Sequence, residues 1–518
     1  MVPPQAQHDR EAEVNDLRSQ VAKMRVQISE LEAENERLRE QVQGLERQGE
    51  QLLRKVLGET SEKMPSLERE VRRREDEEQT GEERRKRGRL RRQENAAKRE
   101  RLETEEVDHP VAEEDRSCPN CPGAELRPMP PESSVEYEFV PSRMKRRVHR
   151  REKLSCPRCR SFIVTASAPT KVYDKAHYGP GLFAHLITAK CADSIPLYRQ
   201  AKRLARQGIP MSRSTLTDLF HRAAELLKPL VVRFEQRIAE SPHVLADETS
   251  FRVLAKGGCR RGFIWTFIGD GLVLYRYSAT RSGETPQDVL GGTTGKLLVD
   301  GYTGYNHVCD VAGRERAGCM CHLRRYFFEA RSTAPEPAQH VLDAIVEIYL
   351  IERKALKLDI VGTEAHRRLR QAETRPMMDA LKIWLEEQQP LHRPKSPIAR
   401  AIGYGLNQWQ ALTRFLDDPL LPPDNNESER RLRLIALGRK NYLFAGHDAG
   451  AENLAILMSL VVTCEAHGVD PEAYLADVLI RIQTHPQSDI DQLLPPVWAP
   501  VALDETVGAS SHQRLLAA

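Results

Sequence analysis

One block of the chain, residues 243–310, changes its hydrophobic period from helical spacing to the alternation that is typical of β-strands. Its apolar runs, HVLADETSFRVL, GFIWTFIGDGLVLYRYSAT and KLLVDGYTGYN, are separated by Gly turns, and TPQDVLGG before the last run predicts a short helix. The flanking segments 176–240 and 330–420 have helical patterns instead. We therefore expect three adjoining strands, a helix and a further strand in this block.

Three acidic residues stand in settings that suit a two-metal phosphoryl-transfer site. Asp247 lies in the first predicted strand, Asp300 ends the fourth, and Glu429 in DNNESERRLR opens an Arg-rich helix. Carboxylates on two strands and a helix can hold two divalent cations about 3.5–4 Å apart, as in nucleases and polymerases. An isolated Asp at a strand end is usually a cap or turn residue, so the argument depends on their shared context. A ribonuclease H-like core has this order of elements, and its central strands bring two Asp side chains to one edge.

Length and composition favour a soluble protein of several domains. At 518 residues the expected number of domains is roughly three to four. Mean hydropathy is −0.55, no stretch approaches the ~20 apolar residues of a membrane span, and the N-terminal MVPPQAQHDR lacks the apolar core of a signal peptide. We expect a cytoplasmic location. The net charge of +3 does not identify a partner, but the basic residues occur in blocks.

Residues 11–57 carry a heptad repeat that predicts a parallel two-stranded coiled coil and hence a homodimer. The d positions are Leu17, Met24, Leu31, Leu38, Leu45 and Leu52. The a positions are Val14, Val21, Ile28, Asn35, Val42 and Gly49. The lone polar Asn35 fits control of register in a dimer. Packing of a single helix within its own chain, and antiparallel or hetero-oligomeric pairing, remain alternatives.

Residues 58–116 are nearly all charged and predict a solvated helix or a disordered linker. Within them, RRKRGRLRR (residues 84–92) is dense in positive charge. Such a basic arm can follow DNA phosphates by counterion release. Nearby Glu runs favour a merely solvated segment equally.

Two CxxC knuckles in residues 117–165 predict one structural zinc site. The four cysteines are Cys118, Cys121, Cys156 and Cys159. Their spacing suits tetrahedral zinc, and four thiolate ligands leave no open position for catalysis. Residues 135–141 and 146–152 are predicted to be the strands of a hairpin between the knuckles. The basic MKRRVHRR there makes Lys145, Arg146 and Arg147 candidates for DNA contact.

Residues 170–240 predict a helical segment with a helix-turn-helix pattern. In KRLARQGIPMSRSTLTDLFHRAAELL, a Gly-Ile-Pro turn separates an amphipathic segment from a second helix that is capped near Ser212 or Ser214. The second helix of such a motif can enter the DNA major groove, which makes Arg213 a candidate contact. A helical hairpin that only packs is equally compatible with the pattern.

The rest of the chain predicts a helical insertion and C-terminal helices. Residues 331–420 are helical and charged, and they separate two parts of one catalytic core, residues 243–330 and 421–462. Residues 463–500 predict a C-terminal helical segment. The expected fold class is therefore α+β and multidomain, with a coiled coil, a zinc-knuckle module, a helical DNA-binding segment and a ribonuclease H-like α/β core.

Taken together, these motifs resemble transposases of the insertion sequence 66 family of bacterial mobile elements. The resemblance covers about residues 117–500, and its blocks follow the family order: ADETSFRVL, LVDGYTGY, CMCHLRRYFFEA, DNNESERRLR, GRKNYLFAGHDAGAENLAILMSL and GVDPEAYLADVL. Such a series is far more specific than any single motif. The long charged linker at 58–116 is less typical of the family.

The resemblance implies a DDE transposase with Asp247, Asp300 and Glu429 as its acidic triad. Glu427 is a rival for the third place, but the Glu-Arg pair of the family's NNxxER motif aligns with Glu429 and Arg430. The triad would bind two catalytic Mg²⁺ ions, and the protein would cut transposon ends and join them to target DNA near the bacterial nucleoid. Two small accessory proteins of the same element are implied as further partners.

Basic residues around the predicted site are candidates for phosphate contact, which we favour over a merely solvated helix face because they stand near a predicted DNA-cutting centre. They are Arg324, Arg325, Arg430, Arg439 and Lys440. Cys319 and His322 form a CxxH unit for which a supporting or packing role is favoured over metal binding, because only two ligands are present. Tyr302 and Tyr305 are expected to be packing residues.

Two other functions fit parts of the pattern. A DNA-binding regulator or inactive transposase derivative would use the coiled coil, the basic arm and the zinc module, but it has no need of three metal-binding carboxylates. A ribonuclease H-type nuclease would cut without joining, and the dimerising and end-binding modules argue against it.

Overall fold

A computed structural model describes residues 66–78, 81–99, 144–155, 163–309 and 313–500, together with Glu34, which is helical and exposed. The chain divides into two compact units, Met1–Ser66 and Leu67–Ala518. The predicted coiled coil of residues 11–57, apart from Glu34, and the four predicted zinc ligands Cys118, Cys121, Cys156 and Cys159 lie outside the described residues. They therefore stay predictions.

The described part of the second unit is a mixed α/β structure in which helices predominate. Its helices are α1 (Leu67–Glu78), α2 (Gly81–Arg99), α3 (Pro180–Cys191), α4 (Leu197–Arg206), α5 (Arg213–Glu240), α6 (Glu284–Leu290), α7 (Met320–Ala330), α8 (Pro335–Lys357), α9 (Glu364–Leu369), α10 (Arg375–Gln388), α11 (Pro397–Asn407), α12 (Trp409–Thr413), α13 (Asn426–Tyr442), α14 (Asp448–Ala466) and α15 (Pro471–Arg481). Short 3₁₀ turns cover Thr303–Tyr305, Gln389–Leu391, Arg414–Leu416 and Gln487–Leu493, and Arg370–Thr374 forms a π-helical turn.

A small antiparallel hairpin follows the predicted first zinc knuckle. It consists of β1 (Lys153–Ser155) and β2 (Ile163–Thr165), with Leu154 opposite Val164. The two strands flank the second knuckle in sequence. The strand predicted over residues 146–152 is wrong, because pairing begins only at Lys153, where apolar residues face each other across the hairpin.

A five-stranded mixed sheet forms the centre of the unit. Its strands are β3 (His243–Ala255), β4 (Gly258–Gly269), β5 (Leu272–Ser278), β6 (Lys296–Leu298) and β7 (Glu315–Ala317). Their spatial order is β5-β4-β3-β6-β7. The β3–β4 and β4–β5 pairs are antiparallel, whereas β3–β6 and β6–β7 are parallel. The three strands, helix and fourth strand lie where the sequence predicts them, except that β6 ends at Leu298, so Asp300 lies two residues beyond the strand that it was predicted to end. β7 was not predicted, because three residues are too few to show a period.

Alternation along β3 and β6 gives each face of the sheet its own apolar core. Val244 and Leu297 belong to one core, with α3, α5, α14 and α15. Leu245 and Leu298 pack in the other, with α7, α8, α10 and α11. Since successive side chains of a strand point to opposite faces, the predicted insertion helices cover the face opposite to α5 and α14.

α14 covers the free edge of the sheet. β5 pairs only with β4, so some of its backbone N–H groups have no strand partner. The N–H groups of Val273 and Tyr275 donate to the hydroxyls of Thr463 (3.1 Å) and Ser459 (2.8 Å) on α14.

In the described part of the chain, α14 alone is long and apolar enough to cross a membrane. Most of its apolar stretch is buried in the fold.

Helix α1 is docked on the insertion helices, so the solvated state predicted for residues 58–116 is wrong for this helix. Leu67 and Val71 are 5% and 3% exposed. The carboxylate of Glu70 accepts a hydrogen bond from Arg324 on α7 at 2.7 Å, and Arg74 donates to Asp343 on α8 at 2.6 Å. Residues 58–116 contain few apolar residues, so the sequence predicts no packing for them. The alternation of acidic and basic residues in α1 instead matches charges on α7 and α8.

The two helices of the predicted helix-turn-helix, α4 and α5, are joined by residues 207–212. Ser212 is the N-cap of α5, and its hydroxyl accepts a hydrogen bond from the N–H of Thr215 at 3.0 Å. Arg213 in the first turn of α5 is exposed. The later turns of α5 bury one face in the core, where Leu227 and Phe234 are fully covered, and expose the other, where Val232 is 46% exposed. Arg213 in the first turn lies outside that core and is accessible to a partner.

Candidate active site

The register of the sheet puts Asp247 of β3 at the level of Asp300, which follows the end of the neighbouring strand β6. β3 and β6 run parallel with Leu245 opposite Leu298. Each aspartate follows its leucine by two residues. Because side chains alternate along a strand, Asp247 shares its face with Leu245, the face that α7 and α8 cover. The register thus brings the two acids together beside the carboxyl end of β6, and this end of the strand is the edge of the sheet meant below.

Glu429 reaches the same edge because the start of α13 is bonded to β3. The side-chain amide of Asn425, the N-cap of α13, donates to the carbonyl of Ala246 at 2.7 Å. Its backbone N–H donates to the thiol sulfur of Cys319 at 3.2 Å. Ala246 immediately precedes Asp247, so these bonds hold the first turn of α13 beside the strand-borne acid.

The three carboxylates interact electrostatically. Burial, the neighbouring charge of Glu248, and then the charges of Glu429 and Asp300 raise the pKa of Asp247 to about 8, against one opposing hydrogen bond from the backbone N–H of Glu248. Asp247 therefore holds a proton at neutral pH unless a cation offsets this repulsion. In the described residues, no three His, Cys, Asp or Glu side chains converge closely enough to hold a metal ion as they stand.

The two candidate glutamates of α13 have different surroundings. Glu427 accepts ion pairs from Arg430 and Arg431 of its own helix, both at 2.6 Å. Glu429 instead faces α7, where Arg325 approaches it at 3.4 Å. Of the two glutamates, Glu429 is the one whose charge contributes to the raised pKa of Asp247. This difference favours Glu429 as the third acid.

Helix α7 brings His322 close to two of these acids, Glu429 and Asp300. Its Nε2 lies 3.9 Å from Oε1 of Glu429. Burial and then the charge of Arg325 lower the pKa of His322, against the opposing charges of Asp300 and Glu429. The imidazole is therefore neutral at physiological pH. Its Nδ1 is buried without a hydrogen-bond partner.

Cys319 fits the packing role that the sequence favours over metal binding. The side chain is fully buried, and its sulfur accepts the N–H of Asn425. Burial and the neighbouring Cys321 raise the pKa of the Cys319 thiol well above its usual range. A neutral thiol that accepts a hydrogen bond at a helix start supports the position of α13.

Glu248 is a fourth carboxylate that the sequence analysis did not select. Its side chain is 2% exposed. Tyr305 donates to it at 2.7 Å, and Nε of Arg281 donates at 2.7 Å. Tyr305 packs edge-on against Trp265 with the ring centroids 5.7 Å apart. The packing role predicted for Tyr305 is confirmed, and its hydroxyl also anchors Glu248. The sequence signal that could have identified Glu248 is its position directly after Asp247.

Asp424 was also missed. Its carboxylate accepts hydrogen bonds from the hydroxyl of Tyr349 on α8 and from the N–H of Asn426 at 2.8 Å. Burial raises the pKa of Asp424, although both hydrogen bonds oppose the rise. Asp424 thereby ties the start of α13 to the insertion. Its place directly before two asparagines was the only sequence signal, and it predicted no more than a loop.

The predicted DNA-contacting residues fall into two groups. Arg324 is 1% exposed and binds Glu70, while Arg439 donates to the hydroxyl of Ser250 at 3.1 Å, so both are engaged inside the fold. Arg324 is therefore not accessible to DNA. The residues that are exposed are Lys145, Arg146, Arg147, Arg213, Arg325, Arg430 and Lys440.

Three family models match the chain. The model described as transposase IS66 family matches residues 175–453, and the IS66 C-terminal element matches residues 459–495. The zinc-finger binding domain of transposase IS66 matches residues 115–160. This last match spans all four cysteines of the two CxxC knuckles.

Relatives of similar length occur in Sinorhizobium fredii. The uncharacterized protein y4hP is 32% identical over 416 residues, which cover 75% of this chain and 74% of that protein. The uncharacterized protein y4jD is 33% identical over 412 residues, which cover 75% and 79%. The uncharacterized protein y4qI is 31% identical over 407 residues, which cover 74% of each.

Proposed function

The chain belongs to the IS66 family of transposases, and on that premise we propose that it cuts the ends of its transposon and joins them to target DNA. The observation that supports this proposal is the electrostatic interaction of Asp247 with both Glu429 and Asp300, together with the parallel pairing of β3 and β6. The strand order, with three antiparallel strands followed by two parallel ones, supports a ribonuclease H-like core.

The donor set fits two divalent cations such as Mg²⁺. All three acids offer carboxylate oxygens, which are ligands that Mg²⁺ prefers. Burial, and then the charges of Glu248, Glu429 and Asp300, raise the pKa of Asp247, and a bound cation would offset both the burial cost and the repulsion. When bound, the ions would supply activation of the attacking water or 3′-OH and stabilisation of the leaving oxygen.

The protein's own residues would position the reaction. Glu248, held by Tyr305 and Arg281, fixes the strand that carries Asp247. Asn425 fixes the helix that carries Glu429. Arg325 is half exposed beside Glu429, and it could exchange that contact for a DNA phosphate. Holding the acids and the scissile phosphate in place supplies much of the expected catalysis.

Other modules would assemble the complex. The zinc-finger match suggests one bound zinc, which we assign to Cys118, Cys121, Cys156 and Cys159. The basic residues beside β1 and Arg213 at the start of α5 would contact the transposon ends. The heptads of residues 11–57 would pair two copies, and small accessory proteins of the same element would act with them.

A cleavage assay separates this function from its rivals. Purified protein would be incubated with Mg²⁺ or Mn²⁺, labelled terminal inverted repeats and a target plasmid. Cutting followed by strand transfer is the expected result. Binding without cutting would support the regulator instead, and cutting without joining would support a simple nuclease.

Zinc should depend on the cysteine knuckles. The double variant Cys118→Ser, Cys156→Ser removes one thiolate from each knuckle, so we expect it to lose the metal and most of its affinity for transposon ends. Elemental analysis and a band-shift assay measure both effects. Cys259→Ser, at an exposed free cysteine, is the matched control. Unchanged zinc in the double variant would contradict the assignment.

Stability without metal should depend on pH through Asp247. Folding raises the pKa of Asp247 from its ordinary value of 3.8 to about 8. Between these pH values the folded state holds a proton that the unfolded chain has released, so stability falls as pH rises through the window and levels off above it. Asp247→Asn removes this titration. Its Tm relative to the unsubstituted protein should therefore rise between about pH 4 and pH 8, by about 1 °C for each kcal/mol in a chain of this length.

Thermal unfolding in a chelator at both ends of the window measures the effect. Asp379→Asn, at an exposed carboxylate of α10, should show no such trend. Adding Mn²⁺ near neutral pH should raise the Tm of the unsubstituted protein more than that of Asp247→Asn. A pH-independent difference between the two proteins would refute this account of Asp247.

A further inference from the structure

Helix α2 carries a concentration of positive charge that neither the catalytic site nor the zinc module uses. Its 19 residues include nine basic and three acidic residues, a net charge of +6. The whole chain has a net charge of only +3. The rest of the protein is therefore slightly negative, and the excess of positive charge lies on this one helix.

The basic side chains of α2 are exposed. Every described side chain of the helix, residues 85–97, is exposed, and Glu94 is the only acidic residue among them. Arg85, Arg89 and Arg92 recur at spacings of four and three, so they lie on one face of the helix. The row spans about 10 Å at the helical rise of ~1.5 Å per residue. Duplex DNA presents a phosphate charge about every 1.7 Å along its axis, so such a row can meet several phosphates.

Helix α2 follows a docked helix in the chain. It begins three residues after α1 ends. α1 is held to the insertion by buried apolar residues and by ion pairs, among them Glu75 with Lys357 at 2.8 Å and with Arg353 at 3.2 Å. A mere solvated linker has no need of such anchoring. The anchoring gives α2 a fixed starting point on the body of the protein.

From this charge, exposure and anchoring, we propose that α2 is a binding site for the phosphate backbone of duplex DNA, separate from the catalytic acids and the zinc module. The proposal rests on the proposed function, because it takes DNA as the partner. Contacts with phosphates add affinity without reading sequence. Helix α2 would hold the DNA that flanks a transposon end or the target DNA.

The test is equilibrium binding to a labelled duplex of random sequence, in a chelator, at several salt concentrations between about 50 and 200 mM. The triple variant Arg85→Gln, Arg89→Gln, Arg92→Gln removes the row. If each arginine meets one phosphate, the slope of log K against log salt should decrease in magnitude by about 2–3. The preference for terminal-repeat DNA over random DNA should stay unchanged.

The control variant Arg368→Gln, Arg393→Gln, Arg400→Gln removes the same charge from exposed sites on the insertion, and its salt slope should equal that of the unsubstituted protein. An equal slope in the α2 variant would overturn the α2 site alone. Tighter binding of RNA than of a duplex of the same length would overturn the assignment to DNA. An unsubstituted protein that binds no duplex would overturn the proposed function as well.

Discussion

Glu429→Gln is expected to lower the rate of transposon-end cleavage by roughly 10²–10³-fold or more, because a neutral amide binds a catalytic cation and offsets its charge poorly. Glu427→Gln, two residues earlier on α13, should retain most of the activity. Glu427 is already neutralised by Arg430 and Arg431, whereas the charge of Glu429 contributes to the raised pKa of Asp247. The same substitution is made in both variants, so a difference in activity between them reports the surroundings of the two glutamates and not the residue type.

Asp247→Asn and Asp300→Asn should lose cleavage and strand transfer to a similar extent. All three variants should bind transposon ends as the unsubstituted protein does, because the acids are not among the residues that we propose to bind the ends. Two single-turnover assays separate the chemical steps. Cleavage is measured on an intact transposon end, and strand transfer is measured in parallel on a pre-cut end. Full activity of Glu429→Gln together with loss in Glu427→Gln would exchange their roles.

The positions of the strand-borne acids could be predicted because each depends on a local pattern. Asp247 and Asp300 stand within or directly after apolar runs with strand periodicity. Their shared level follows from a parallel pairing of β3 with β6, which a topology of three strands, a helix and a fourth strand favours. The Ser212 cap of α5 was predictable for the same reason, since a cap depends on the next three residues.

The contacts that hold the site together were not predictable from local patterns. Arg324 and Glu70 are separated by 254 positions. In the sequence, Arg324 is one basic residue among several near the predicted site, and this setting predicts a contact with DNA. Burial decides its role, and burial depends on the docking of α1. Glu248 shows the same limit, because its partners Tyr305 and Arg281 come from loops after the fourth and third strands.

The insertion was also underestimated by its sequence. Its charged helices predict only a helical insertion between two parts of the core, whereas the structure shows that it supplies Tyr349, which binds Asp424 at the start of α13. Asp418, in the return from the insertion, binds Lys296 and His243 at the starts of β6 and β3. Burial alone would raise the pKa of Asp418, but these two hydrogen bonds outweigh it and hold the pKa at about 2. The insertion thus fixes the return path of the chain to Glu429.

Arg370 binds the chain segment that leads from the insertion back to α13. The variant Arg370→Leu is expected to cost about 3–5 kcal/mol of folding stability. The guanidinium is 1% exposed and forms a two-pronged ion pair with Glu352, at 2.8 and 2.7 Å. Its Nη1 also donates to three backbone carbonyls of the loop before α13. They belong to Phe415 (2.6 Å), Asp418 (2.8 Å) and Leu421 (3.0 Å). Leucine would leave a buried carboxylate and three carbonyls without their donor.

Urea unfolding of Arg370→Leu measures the loss, and Arg368→Leu, at an exposed site two residues earlier, should stay within about 0.5 kcal/mol of the unsubstituted protein. Adding Glu352→Leu to Arg370→Leu should recover part of the stability, because an apolar pair no longer buries an uncompensated charge. Cleavage should not recover with it, since the loop that places Glu429 would still lack its donor. Recovery of cleavage with stability would mean that Arg370 supports the fold alone, and equal stability of Arg370→Leu and Arg368→Leu would remove Arg370 from either role.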